Sequence, residues 1–403
     1  MSHRLFRLLL AILFLTPAMS RAADDPSFNG RTLTEWMAVL KDDSLVRKRR
    51  AAVVSLGQMM SGNAEAQTKA IPALARALKN DSNAALRGQV ANLLGQQPVE
   101  VAAQFLPDMA EALRNEKDAD VRKEISLAVG HYGKLSASVV LPLIDVLKDT
   151  AAPARAAAAD ALGRIGKDAR RAAPTLVPLA ADADRAVQYA AVFALGRIDP
   201  DDSESASIAI LAVLEKEMTR GPKAATLGAG IGGFTGATAR DMEMATAAIV
   251  SLGLLGEKSP DVVKAVAKFL PDADPELRQL AALTLGKFGI IGRVASAELR
   301  KAFEQDADKL VRAYALNSLC SSYGAEAKEL IPALAARLKA DDDYEVRVAI
   351  AQQLGGMGPS GKDAIPALRE ARRDSQLKVR EAAAFAIRQI EKPIEKPVEK
   401  AKP

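Results

Sequence analysis

The sequence predicts an all-α fold, an α-solenoid of about ten helical hairpins. Three observations carry this. A Leu-Gly pair closes an alanine-rich amphipathic run again and again, as in RRAAVVSLG, RAAAADALG and RQLAALTLG. The pairs return at a period near 33 residues, with glycines at 57, 95, 130, 163, 196, 253, 286 and 355 and with Cys320 and Arg388 in the same slot of two further copies. No segment alternates apolar and polar residues with the period of a strand. A fixed period of this size marks stacked supersecondary units, because one hairpin cannot bury its apolar face alone while neighbours in a stack share a core.

Residues 1–22 read as a signal peptide. Arg4 and Arg7 precede an apolar run from Leu8 to Leu15, and Ser20 and Ala22 supply the small residues for a cut before Ala23. The run is too short to span a bilayer, and no other stretch offers ~20 apolar residues, so the expectation is an exported chain, periplasmic or secreted, with no transmembrane span. Residues 23–30 follow as a linker. The solenoid, residues 31–390, opens at Thr32-Leu33-Thr34-Glu35, which fits a capping box. Trp36, the only tryptophan, is expected to cover the open end of the stack.

Within each repeat the first helix is apolar at helical spacing and often carries proline in its early turns, as at Pro72, Pro142, Pro332 and Pro366. Early helical amides lack internal partners, so proline costs little there. A short acidic turn leads to the alanine-rich second helix. That helix is expected to be closed by its glycine in the left-handed conformation. Residues 391–403, EKPIEKPVEKAKP, read as a disordered, extended tail.

A second regularity is stricter. Eight residues before the glycine slot stand Arg49, Arg87, Arg122, Arg155, Arg278, Arg312, Arg347 and Arg380, and six residues before those positions stand Asp43, Asp81, Glu116, Asp149, Asp182, Asp272, Asp306, Asp341 and Asp374. An acid at each turn and an arginine on the helix that follows invite a repeating set of charge-assisted hydrogen bonds. Only the sixth repeat lacks both, with Ala239 and Ala245 in their places.

This combination resembles the HEAT repeats, particularly the short kind named after phycobilisome lyases, over roughly residues 31–390. In that family the turn aspartate and the second-helix arginine link neighbouring repeats, and the second helices line a concave face. The resemblance therefore implies a structural role for the acids from Asp43 to Asp374 and the arginines from Arg49 to Arg380, and a protein or peptide as partner.

Charge and residue types narrow the function. The formal charge of +5 falls to +2 once Arg4, Arg7 and Arg21 leave with the signal peptide, and the arginines are matched by acids. That balance argues against a nucleic-acid partner. Cys320 is the only thiol, so no internal disulfide forms. His131, directly after Gly130, is the one histidine of the mature chain and suits a helix end better than a catalytic triad. Zinc has no histidine–cysteine cluster to bind. The acidic turns at Asp199, Asp201, Asp202 and Glu204, and at Asp341, Asp342, Asp343 and Glu345, lack the ligand spacing of an EF-hand. The expectation is a non-enzymatic, exported protein-binding scaffold with no cofactor and no metal. The alternatives are an accessory subunit of an enzyme, similar to the phycobilin lyase subunits, and envelope attachment.

One stretch stands apart. The sixth repeat carries about 24 extra residues between its helices, an insert at 219–241 containing LGAGIGGFTG. No strand precedes it, as a dinucleotide loop would need. Its uncharged run, Ala224 to Ala239, is shorter than a spanning helix. It is expected to be a loop that marks a joint in the solenoid, with Ile231 and Phe234 as possible partner contacts, being apolar groups hard to justify in solvent.

Overall fold

A computed structural model describes residues 25–102, 104–219, 242–256 and 259–392. Residues 1–24, of which 1–22 are expected to be a signal peptide, the insert with Ile231 and Phe234, and the segment from 393 lie outside the described residues. The described chain is an all-α solenoid that falls into two compact bodies, one up to Ala128 and one from Val129.

The first body begins with a β-hairpin, Ser27–Phe28 against Arg31–Thr32. Strands of two residues show no alternation, so periodicity does not reveal this hairpin. The signal was present as Asn29-Gly30, which take φ of 52° and 76°, both positive as a two-residue hairpin turn demands. The capping box follows: the Thr32 hydroxyl accepts from the Glu35 amide at 3.3 Å, and the Glu35 carboxylate accepts from the Thr32 amide at 2.8 Å. Trp36 is buried beneath the hairpin, donating from its indole nitrogen to the Phe28 carbonyl at 2.8 Å. The first three repeats then pair Leu33–Asp42 with Val46–Met60, Ala64–Asn80 with Ala84–Gly95, and Leu106–Asn115 with Ala119–Gly130. Pro72 lies deep inside Ala64–Asn80 rather than in an early turn, because that helix starts a full two turns earlier than the proline pattern suggested.

In the second body the pairs are Val140–Val146 with Ala152–Ile165, Ala173–Leu179 with Arg185–Arg197, and Ser203–Thr219 with Met242–Leu255. Then come Pro260–Ala267 with Pro275–Lys287, Ser296–Gln305 with Lys309–Tyr323, Ile331–Ala340 with Tyr344–Gly356, and Ile365–Ala371 with Leu377–Glu391. Alanine, leucine and valine from both helices of each hairpin fill the core. The small alanines let helices approach closely, which compensates for the few aromatics.

The Leu-Gly glycine does not close its helix in the left-handed conformation. Gly163 is buried inside Ala152–Ile165, and the helix ends three residues later at Gly166, where φ is 75°. Gly133, Gly289, Gly324 and Gly358 have the same positive φ. Each opens a seven-residue 3-10 helix that leads into the next first helix. The sequence held this as a second glycine, in VGHYG, LGRIG, LGKFG and LGGMG, three residues past the first.

Candidate functional site

The turn acid and the second-helix arginine meet across repeats. In the first body Arg49 Nε and Nη2 donate to the two carboxylate oxygens of Asp81 at 2.7 and 2.9 Å, and Arg87 does the same to Glu116 at 2.7 and 2.6 Å. In the second body the same fork joins Arg155 to Asp182, Arg278 to Asp306, Arg312 to Asp341 and Arg347 to Asp374. The remaining nitrogen, Nη1, donates back to the carbonyl of the repeat's own acid, as Arg122 does to Glu116 and Arg380 to Asp374. Each acid also orders the turn that precedes its own second helix. Asp43, Asp149, Asp272 and Asp306 accept from the amide two residues on, at 2.9–3.0 Å. One carboxylate thereby orders a turn and clamps the preceding repeat, using bidentate geometry that lysine could not supply.

The pairs sit in low-dielectric surroundings, which sets their titration. Burial pushes the Asp81, Glu116, Asp182 and Asp341 carboxyls up, but the arginine forks and turn amides outweigh it and hold all four below the usual carboxylate range. At Asp374 the Arg347 fork is the main influence and acts in the same direction.

Between the fifth and sixth repeats the link takes another route. Gln188 occupies the arginine position of the fifth repeat and Ala245, fully buried, that of the sixth. Arg185 instead bonds Gln188 at 3.1 Å and pairs at 2.8 Å with Glu217, a carboxylate with no solvent exposure in the last turn of Ser203–Thr219. Spacing alone could not show this, because Glu217 belongs to no repeated position.

The acidic turns have cations or amides as partners. Asp199 pairs with Lys167 at 2.9 Å, Asp201 with Arg170 at 3.4 Å, and Asp202 accepts from the Ser205 amide. Asp342 binds Arg312, while Asp343 and Glu345 share Lys309. Among the described residues no cluster of histidine, cysteine or carboxylates could hold a metal, and no helix is long and apolar enough to cross a membrane. His131 is exposed at the end of Ala119–Gly130.

The solvent face of the second helices is organised by the slot glycines. Each lies against the residue two positions before the slot of the next repeat: Gly95 on Ala128, Gly163 on Ala194, Gly196 on Ser251, Gly253 on Thr284, Gly286 on Ser318 and Gly355 on Ala386. A Cβ at Gly163 would come 2.9 Å from the Ala194 Cα, so only glycine permits this approach. Side chains three before and one after the next slot then lie across the seam. The Phe193 ring lies 3.2 Å from the place of a Cβ on Gly163, and the Lys287 stem 3.5 Å from that of Gly253.

Three neighbouring second helices, Arg185–Arg197, Met242–Leu255 and Pro275–Lys287, place an apolar row on this face: Phe193, Val250 and Leu283, flanked by Tyr189 and Leu254. Leu254 is 50% exposed and Leu283 45%. The Arg197 guanidinium rests over the Phe193 ring, 4.5 Å from its centroid. Neither Arg197 nor Lys287, both exposed, has a carboxylate partner among the described residues. Sequence reading missed the row because each residue alone looks like an ordinary helix residue; only the constant register of the seam aligns them.

Family models for HEAT repeats match residues 106–196, 140–228, 236–320 and 296–388, more than half of the chain. The chain belongs to the HEAT-repeat family. A further model, the PBS lyase HEAT-like repeat, matches residues 48–80. Among solved structures, an engineered protein shares this HEAT-type fold with a TM-score of 0.58 at 18% identity, over 89% of this chain and 99% of that one. The Escherichia coli protein YibA aligns with a TM-score of 0.47 at 19% identity, over 71% of this chain and 91% of its own. No curated protein sequence matches.

Proposed function

We propose that this HEAT-repeat chain is an exported, non-enzymatic scaffold that holds another protein or peptide on the solvent face of its second helices. The observation that carries the reading is the contiguous row Phe193, Val250 and Leu283 with Tyr189 and Leu254. Large apolar groups aligned across three helices lose solvent contact only when a partner covers them. Stacked repeats commonly present such extended surfaces. Export rests on the amino-terminal pattern of Arg4, Arg7, Leu8 to Leu15 and Ala22.

Crosslinking mass spectrometry on intact cells tests the proposal. The expected result is a recurring partner joined to lysines near the row, Lys287 among them, on a chain whose amino terminus is Ala23. Recovery of an uncleaved chain from the cytosol would overturn export, and crosslinks confined to the first-helix side would overturn the face. A visible chromophore on the purified protein would favour the lyase-like alternative instead.

A further inference from the structure

We infer that the partner segment is an acidic amphipathic helix, with carboxylates one turn from its apolar anchors; this rests on the scaffold reading above. The charge pattern of the face carries the inference. From Ala186 to Arg197, from Met244 to Leu255 and from Leu277 to Lys287 the three helices contain no acidic residue. Each of the first and third ends in an exposed cation one position past the slot. Arg164, at the same position one repeat earlier, is likewise exposed but pairs with Asp160 at 2.7 Å. Arg197 and Lys287 have none, although other helices show that an acid four residues earlier would supply one. That earlier position holds Phe193 and Leu283 instead.

The geometry keeps these cations available. The Arg197 guanidinium carbon lies over the Phe193 ring, where the quadrupole attracts it, while the side chain remains exposed. The Lys287 stem lies over Gly253, so its ammonium stands at the rim of the apolar row. A ligand that seats leucine or phenylalanine on Val250, Leu254 and Leu283 places its flanking residues over Arg197 and Lys287. Carboxylates there gain charge-assisted hydrogen bonds, whereas lysines meet like charge. An amphipathic helix offers apolar anchors at i, i+3, i+4 and i+7 with acids beside them, which suits a row that crosses three helices.

Selection of random 16-residue peptides displayed on phage, with the purified chain as bait, tests this. The expected enrichment is for net-negative sequences with apolar residues at helical spacing, whose affinity drops at least tenfold in 0.5 M salt and in an Arg197→Glu, Lys287→Glu double variant. Leu254→Asp, at an exposed position, should abolish their binding, with circular dichroism showing the variant folded; Leu283→Asp serves if it is not. Peptides that need Leu254 but are neutral or basic would overturn the acidic partner and leave the face reading standing. Peptides indifferent to both apolar variants, or no enrichment at all, would overturn both.

Discussion

Gly355 and Gly356 stand side by side at the end of Tyr344–Gly356 and differ in what faces them. A Cβ on Gly355 would lie 2.8 Å from the Cα of Ala386 and 2.9 Å from its Cβ, whereas one on Gly356 would meet nothing within 4 Å. Alanine at either site stabilises by about 0.4–1 kcal/mol, because the unfolded chain loses freedom. At 356 nothing opposes that gain. At 355 carbon atoms that sit comfortably at about 3.5–4.0 Å are forced nearer, so the last second helix must retreat by roughly 1 Å. Overpacking of this kind costs about 1–3 kcal/mol. The difference between Gly355→Ala and Gly356→Ala cancels the backbone contribution and isolates the packing cost. Urea unfolding followed by circular dichroism measures it, as a lower midpoint for Gly355→Ala and a raised one for Gly356→Ala at unchanged slope. Equal stabilisation of both variants would refute the close approach at the slot, and with it the account of why glycine recurs there.

Three further outcomes follow from the buried charges and the thiol. Arg312→Met strands Asp341, which is almost fully buried, and should cost about 3 kcal/mol, the low end for a broken buried pair because Arg337 still reaches that carboxylate. Adding Asp341→Asn, which removes the stranded charge and keeps an acceptor for the Asp343 amide, should recover more than half in the same unfolding assay; no recovery would mean the loss is not electrostatic. The turn acids Asp81, Glu116, Asp182, Asp341 and Asp374 titrate below their ordinary range when folded. Their contribution is therefore fully present above about pH 4–5 and is lost as pH falls through the depressed folded values. Urea midpoints should be level from pH 7 to about 5 and fall below about 4, with a smaller acid loss in Asp374→Asn. Burial pushes the Cys320 thiol up to about 12, so it should react with iodoacetamide only under denaturing conditions; rapid alkylation of the native chain would contradict that packing.

The repeat and its charges were legible because they recur. A period near 33, an arginine eight before the slot and an acid six before that are visible as spacing, and the hydrogen bonds then join residues that spacing had already named. What spacing could not show is direction. Where the preceding repeat carries the arginine, as before Asp81, Glu116, Asp182, Asp306, Asp341 and Asp374, one acid serves both its own turn and that arginine, a fact of stacking rather than of sequence. The role of the slot glycine was misread for a related reason. A glycine near a helix end suggests a cap, and only contact with Ala194 or Ala386 reveals that the missing Cβ matters to the neighbouring helix. Arg185 and Glu217 were invisible because they occur once. The hairpin at Asn29-Gly30 was legible by turn chemistry alone, because strands of two residues are too short to show alternation.

The slot position also governs where the stack stops. Inside the array it is occupied by glycine or, once, by Cys320, whose neighbour on the next second helix, Gln353, bonds Asn317 at 2.8 Å. At Leu377–Glu391 it is Arg388, exposed, with its guanidinium beside the Phe385 ring. A side chain of that size would not fit against a further helix at the separation glycine allows. At the opposite end the hairpin covers Trp36, and Arg31 stacks over the indole at 5.0 Å. Asp43, which has no preceding arginine, accepts from its own turn amide, pairs with Lys48 at 3.2 Å and feels the charge of Arg31. Polar closure of each end is what a repeat array needs to remain unassociated. Exposed apolar side chains occur elsewhere on the chain, as at Ile290 and Leu141, but on the three central second helices exposed and half-buried ones fall in one register, Phe193, Val250 and Leu283, with cations at the rim and no acid beside them.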